Sequence, residues 1–351
     1  MKPLKPRLAV QKMAAYSPPT GGRSGKMRLD FNENTVGCSP RVIDALKRGI
    51  GAEGLAVYPE YGEAKAAIAQ YFQVSPDRFV FTNGTDEAIQ VFLNTYVDDG
   101  QETIVLKPAY AMYRFYAEVA GAKVVEIPYP PEMDFPLDDV LRAITKETRA
   151  ILISNPNNPT GTAVSLEGMA RILRKARHAA VLIDEAYYEF SGITALPEIA
   201  TQPNLFVCRT FSKVFGMAAM RLGCLFSNET NVRYLHKAQS PYSVNMLAVL
   251  AAQAAVEDVD YVRNYVAEAL AARELLCLGL EKLGIGYVPS SANFVLGRFG
   301  ARAIEVRDAL RARGILVRDR SYEAPGCVRI TVGTREQTRQ MLAALEDIWK
   351  Q

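Results

Sequence analysis

Four short stretches of this sequence hold residues that could do chemistry. NGTDEAIQ (83–90) places a glycine and small polar residues directly after the apolar run RFVFT. A strand-to-helix turn of that composition exposes backbone N–H groups at a helix N-terminus, which binds phosphate; the same residues would also serve as a plain helix start capped by Thr85. The stretch is neither G-x-G-x-x-G nor a Walker G-K-[ST], so dinucleotide and triphosphate readings lose support. SNPNNPTG (154–161) is a loop by its prolines and glycine, and Asn158 could donate an amide N–H where open α/β sheets place ligands. LIDEAYYEF (182–190) ends an apolar run on Asp184, which is costly to bury without a cationic partner, with Tyr187 three residues later. RTFSKVFGMAAMRLGC (209–224) sets Lys213 among small and apolar residues, beside Ser212 and eight positions before Arg221. A desolvated lysine loses its proton more readily and becomes a nucleophilic amine.

Taken in order, these are a phosphate cradle, an amide donor, an acid–phenol pair and an amine flanked by further phosphate ligands. That set fits pyridoxal phosphate, whose aldehyde condenses with a lysine and whose ring nitrogen takes an acid. A Ser212–Lys213 hydrolytic dyad fits poorly, because adjacent residues of an extended segment face opposite ways and G-x-S-x-G is absent. The only two histidines, His178 and His236, lie far apart without neighbouring ligand types, so no metal site is expected.

The elements that must position these groups are legible as alternating strands and helices. RFVFT (78–82), TIVLK (103–107), AKVVEI (122–127), RAILIS (149–154), AAVLIDE (179–185), LFVCRTF (205–211) and LGCLFS (222–227) read as strands. Most are apolar throughout, which suits a mostly parallel sheet covered on both faces. TDEAIQVFLNTYV (85–97) and SLEGMARILRKAR (165–177) read as helices between them, and Ser39 with Pro40 marks another helix start. The alternation predicts a large α/β domain over 30–257. Long helices near 245–257 and 259–284 then lead to ANFVLG (292–297), a helix at 302–313, CVRITV (327–332) and a last helix from 334, and the part over 258–351 is predicted to be a smaller α+β domain. An N-terminal arm, 1–29, is expected to associate with it.

Composition sets the outer limits. The chain has 351 residues, 49% hydrophobic and 23% charged, as in an ordinary globular protein. A net charge of +3 does not argue for nucleic acid or an anionic membrane. Five scattered cysteines without a C-x-x-C pair read as reduced thiols of a cytoplasmic protein. No secretory h-region and no membrane-length apolar run is present.

Over nearly its whole length the sequence resembles the fold-type I, class I/II aminotransferases, and within them it is similar to the histidinol-phosphate aminotransferases. The four stretches carry the resemblance together with AYSPP (15–19), LDFNENTVGCSP (29–40), YPEYG (58–62), KPAYAMY (107–113), SPYSVN (240–245), ANFVL (292–296) and GILVRDRSYEAPGCVRITVGT (314–334). The resemblance implies a three-layer α/β/α large domain with a mostly parallel sheet, a smaller α+β domain and pyridoxal 5′-phosphate as cofactor. It implies that Lys213 takes the cofactor's aldehyde, that Asp184 faces the ring nitrogen, that Tyr187 and Asn158 bond the ring's phenolic oxygen and that Tyr110 stacks on the ring. Gly84, Thr85, Asp86, Ser212 and Arg221 are then expected to hold the phosphate, and Tyr58 to reach it from the other subunit of a homodimer. Arg329 is expected to clamp the substrate carboxylate, Arg318 the substrate's own phosphate, and Tyr16 to close over the site, with Tyr242 and Asn245 lining it from the neighbouring subunit. Arg320 is either a further contact or a solvated loop charge.

The implied reaction moves an amino group from a small-molecule donor, histidinol phosphate, to a 2-oxo acid, 2-oxoglutarate. An aromatic amino acid transaminase and a threonine-phosphate decarboxylase stay open on the same scaffold. Thr35, Val214, Ala219 and Gln239 depart from the family's usual residues. Gln239, where a basic residue often stands, bears on recognition of a phosphorylated substrate. A cofactor-binding regulator is disfavoured, as such proteins carry an added DNA-binding domain.

Overall fold

The computed structural model describes residues 4–15 and 21–350 of the chain. Its strands are β1 (Met27–Leu29), β2 (Phe79–Thr82), β3 (Glu102–Lys107), β4 (Lys123–Pro128), β5 (Thr148–Ser154), β6 (Ala180–Asp184), β7 (Leu205–Thr210), β8 (Gly223–Phe226), β9 (Gly286–Val288), β10 (Phe294–Arg298), β11 (Ile315–Asp319) and β12 (Cys327–Thr331). Seven of them form one sheet in the order β2-β8-β7-β6-β5-β3-β4. β8 alone runs against its neighbours; β4, β3, β5, β6 and β7 are parallel.

All seven expected strands are present, and continuous apolarity has the cause assigned to it. On β6, Val181 and Ile183 enter the core under the helices Gly62–Phe72, Leu166–Lys175 and Met246–Glu257. Ala180 and Leu182 enter the opposite core, under Gly84–Tyr96 and Ala111–Ala120. A strand covered on both faces has no solvent side and therefore no alternation. The result is the three-layer α/β/α arrangement. Ser39 caps its helix as predicted, its Oγ accepting from the Arg41 N–H at 3.1 Å, and Ser165 caps Leu166–Lys175.

The second sheet runs β1-β11-β12-β10-β9, with the helices Val259–Lys282, Ala303–Ala312 and Arg335–Trp349 contributing to its core. The N-terminal segment joins it as β1, parallel to β11, with Met27 opposite Ile315 and Leu29 opposite Val317. β1, β9 and β11 had no clear sequence signal. The first two span three residues each, and β11 (ILVRD) ends on charges.

The two sheets meet around one opening. Ser154, Asp184 and Thr210, the last residues of β5, β6 and β7, line it from the large sheet; Arg318 and Arg329 line it from β11 and β12. Carboxyl ends of parallel strands are where open α/β sheets bind ligands.

Candidate active site

The opening is a cavity of about 320 Å³, lined among others by Thr85, Asp86, Tyr110, Asn158, Asp184, Tyr187, Ser212, Lys213, Arg221, Arg318 and Arg329. These residues span more than two hundred positions of sequence and converge because three strand ends, the starts of two helices and the paired strands β11 and β12 do.

At one end the helix Gly84–Tyr96 begins. Gly84 has φ +75°, and a Cβ there would lie 2.5 Å from the Arg221 guanidinium, so any other residue would be strained and would push that guanidinium aside. Arg221 itself sits at φ +55° and reaches Asp86 Oδ2 at 3.3 Å. Thr85 does not cap the helix as one reading expected. Asn83 precedes the first turn, and the Thr85 hydroxyl is buried without a hydrogen-bond partner. An orphaned hydroxyl, an arginine and a helix N-terminus, with Ser212 beside them, are the donor set a phosphate dianion requires. The site therefore fits the phosphate of pyridoxal phosphate on this chain's own geometry.

Asp184 is 3% exposed, and no side-chain cation pairs with it among the described residues, which leaves that place to a protonated ring nitrogen. Tyr113 donates its O–H to Oδ2 at 2.7 Å and the Ala186 N–H bonds Oδ1 at 3.0 Å. Burial pushes the carboxyl above its ordinary pKa, and these hydrogen bonds oppose that shift.

Tyr187 is buried, and its hydroxyl oxygen accepts from Asn32 Nδ2 at 2.9 Å, which leaves the phenolic proton to donate onward. Lys213 extends its Nζ to the Phe31 carbonyl at 3.0 Å. Desolvation, with the charge of Arg329 adding to it, lowers its pKa from 10.5 to about 8. The amine is thus a usable base near neutrality. Tight packing of the Lys213 turn rests on Gly216, where a Cβ would come within 2.2 Å of the Gly37 carbonyl. Ala218 lines the cavity, while Ala219 is exposed.

The third wall is cationic. Arg329 is buried, donates to Asn158 Oδ1 at 2.5 Å and to the Asp30 carbonyl at 2.6 Å, and keeps a partnerless Nε. Desolvation first, then the charge of Arg320, lowers its pKa to about 10. Arg318 stands directly opposite it across the β11–β12 ladder. No carboxylate pairs with Arg318 among the described residues. Arg320 is not a solvated loop charge. It is 8% exposed, lines the cavity and pairs with Glu323.

Of the residues singled out in the sequence, Lys213, Asp184, Tyr187, Thr85, Asp86, Tyr110, Asn158, Ser212, Arg221, Arg318 and Arg329 line this one cavity, with Gly84 against Arg221 at its edge. Tyr58 and Tyr242 do not. They stack on each other, ring centroids 4.4 Å apart, and are 74% and 55% exposed. Asn245 caps the helix Met246–Glu257 by accepting from the Ala248 N–H. Gln239 bonds the Phe81 carbonyl. Tyr16 lies outside the described residues. Sequence reading missed Tyr113, Asn32 and the cluster in which Arg23 bonds both Asp30 and Glu33 and lies over Phe31. The polar residues crowded into LDFNEN were the one available signal for the latter.

Comparison with known proteins agrees with this geometry. The family model described as aminotransferase class I and II matches residues 24–345. A histidinol-phosphate aminotransferase of Symbiobacterium thermophilum is 36% identical, with 97% of each chain covered. One from Bacillus velezensis is 34% identical over 99% of this chain and 97% of its own. The crystal structure of histidinol-phosphate aminotransferase from Sinorhizobium meliloti, in complex with pyridoxal-5′-phosphate, superposes with a TM-score of 0.87. It is 23% identical and covers 98% of this chain and 97% of its own, which speaks to the fold.

Proposed function

The chain belongs to the class I and II aminotransferase family, and from that premise we propose that it transfers the amino group of histidinol phosphate to 2-oxoglutarate. The observation that carries the choice of donor is Arg318 opposite Arg329 on one cavity wall. The phosphate dianion of the donor and the two carboxylates of the acceptor each match two guanidiniums better than one.

The cofactor, pyridoxal phosphate, supplies an electron sink for the pair left behind when the substrate Cα–H bond breaks. The rest is work for the protein's own groups. Lys213 Nζ would take the substrate Cα proton and hold it for return to the cofactor's former aldehyde carbon, a role its lowered pKa supports. Asp184 holds positive charge at the ring nitrogen. Tyr187 donates its free phenolic proton to the ring oxygen, and Asn158 offers it the NH₂ side, its carbonyl being engaged by Arg329. Tyr110 packs beside the ring, its hydroxyl tied to Asp86 at 2.7 Å. Gly84, Thr85, Asp86, Ser212 and Arg221 anchor the phosphate. Arg329 binds a carboxylate of the 2-oxo acid in its half-reaction, Arg318 the phosphate of the donor, and Tyr16 closes the entrance.

A second copy of the chain completes the site in this reading, with Tyr58 on the cofactor phosphate and Tyr242 at the substrate. The exposure of that stacked pair, beside exposed Val57 and Leu55, supports it. We further infer an arm over 1–29, a large domain over 30–257 and a small one over 258–351. The cytoplasm is the compartment in which five unpaired cysteines are at home.

The test is a panel of amino donors against 2-oxoglutarate: histidinol phosphate, phenylalanine, tyrosine and threonine phosphate. Histidinol phosphate should lead in kcat/KM by about tenfold or more. A lead for phenylalanine or tyrosine makes the enzyme an aromatic transaminase, and carbon dioxide released from threonine phosphate makes it a decarboxylase.

A further inference from the structure

Asp184 is pinned from two directions. The Ala186 N–H, from its own turn, bonds Oδ1, and the Tyr113 phenol, 71 residues earlier in the chain, bonds Oδ2 at 2.7 Å. Tyr113 is 1% exposed, belongs to the helix Ala111–Ala120, and reaches the cavity from the same helix start that presents Tyr110. The two rings meet edge to face, centroids 5.6 Å apart at 83°. A carboxylate bonded through one oxygen can turn about its Cβ–Cγ bond; one bonded through both oxygens, from different elements, cannot.

We propose that Tyr113 is a positioning residue for Asp184, fixing the plane of its carboxylate so that a free lone pair faces the ring nitrogen of the cofactor. This rests on the cofactor assignment above. The same bond has an electrostatic consequence. Burial favours the neutral carboxyl, and a short hydrogen bond from a phenol favours the carboxylate. Losing it shifts positive charge off the ring nitrogen, and the lysine-linked nitrogen then keeps its proton to higher pH.

The experiment uses Tyr113→Phe, which keeps the ring and its packing, in purified enzyme reconstituted with pyridoxal phosphate. Hydrogen bonds to a charged group are worth about tenfold or more in an equilibrium, so cofactor affinity should weaken by about that factor. The midpoint of the pH-dependent change in visible absorption should move upward. Adding Tyr113→Phe to Asp184→Asn should change cofactor affinity little beyond Asp184→Asn alone, because the acid through which Tyr113 acts is gone. Unchanged affinity and an unmoved midpoint in Tyr113→Phe overturn the proposal and leave Tyr113 as packing only. So does a full additional loss in the double variant, since the phenol would then act without Asp184. Wild-type protein that takes up no pyridoxal phosphate would instead defeat the cofactor assignment itself.

Discussion

Arg318 on β11 and Arg329 on β12 are direct cross-strand partners, and both side chains open onto the cavity that holds Lys213. Like charges placed opposite one another in an antiparallel pair repel. Neither arginine forms an ion pair among the described residues, so the pair costs stability until an anion arrives. Arg318→Ala should therefore leave the stability of the unliganded protein unchanged or raise it by up to about 1 kcal/mol. The same change should raise KM for histidinol phosphate about tenfold or more, with a smaller effect on phenylalanine. Equal weakening of the two donors would remove Arg318 from phosphate recognition.

Lys213→Ala should abolish both turnover and the covalent, borohydride-reducible attachment of pyridoxal phosphate. Mass spectrometry of the reduced protein reads the attachment directly. Full transamination by this variant would contradict the role assigned to the lysine.

The depressed pKa of Lys213 predicts a stability difference with a definite sign. Its folded value, about 8, lies below its ordinary 10.5, so between those values the unfolded chain binds more protons and cofactor-free stability rises with pH. Below about 8 the cost of burying the charge is present in full. Lys213→Met should therefore stabilise the cofactor-free protein near pH 7 by about 2 kcal/mol, less than the whole shift implies because the amine opens onto the cavity. Urea unfolding at pH 7 and pH 10 should show the advantage shrinking as pH rises.

Gly84→Ala should lower stability by about 1–2 kcal/mol, since it adds a side chain at φ +75°. It should also weaken cofactor binding, because the new Cβ would displace the Arg221 guanidinium. Wild-type cofactor affinity in this variant, measured by equilibrium dialysis, would show that the phosphate does not depend on that arginine's position.

Tyr58→Ala and Lys213→Ala, each inactive or nearly so alone, should regain up to about a quarter of wild-type activity when mixed and allowed to exchange subunits, if each site borrows Tyr58 from the other chain. No recovery, with exchange verified by tagged subunits, would place Tyr58 outside the shared site.

The sequence by itself determined the strands of the large sheet, because fully buried parallel strands must be apolar throughout and leave long unbroken runs. It also singled out residues that the fold gathers in one cavity, because Lys213, Asp184, Tyr187 and Arg221 are chemically unusual for their apolar or small-residue surroundings and keep short, telling spacings. Tertiary structure decided what such spacing cannot encode. Tyr113 looks like any aromatic on an amphipathic helix until folding brings its hydroxyl to Asp184, and Asn32 like any loop amide until it meets Tyr187. Arg320 reads as a loop charge until β11 and β12 draw it into the cavity. Register made the last and largest difference. Whether Arg318 and Arg329 face each other depends on a pairing between two strands, and a one-residue slip would have sent one of them to the opposite face.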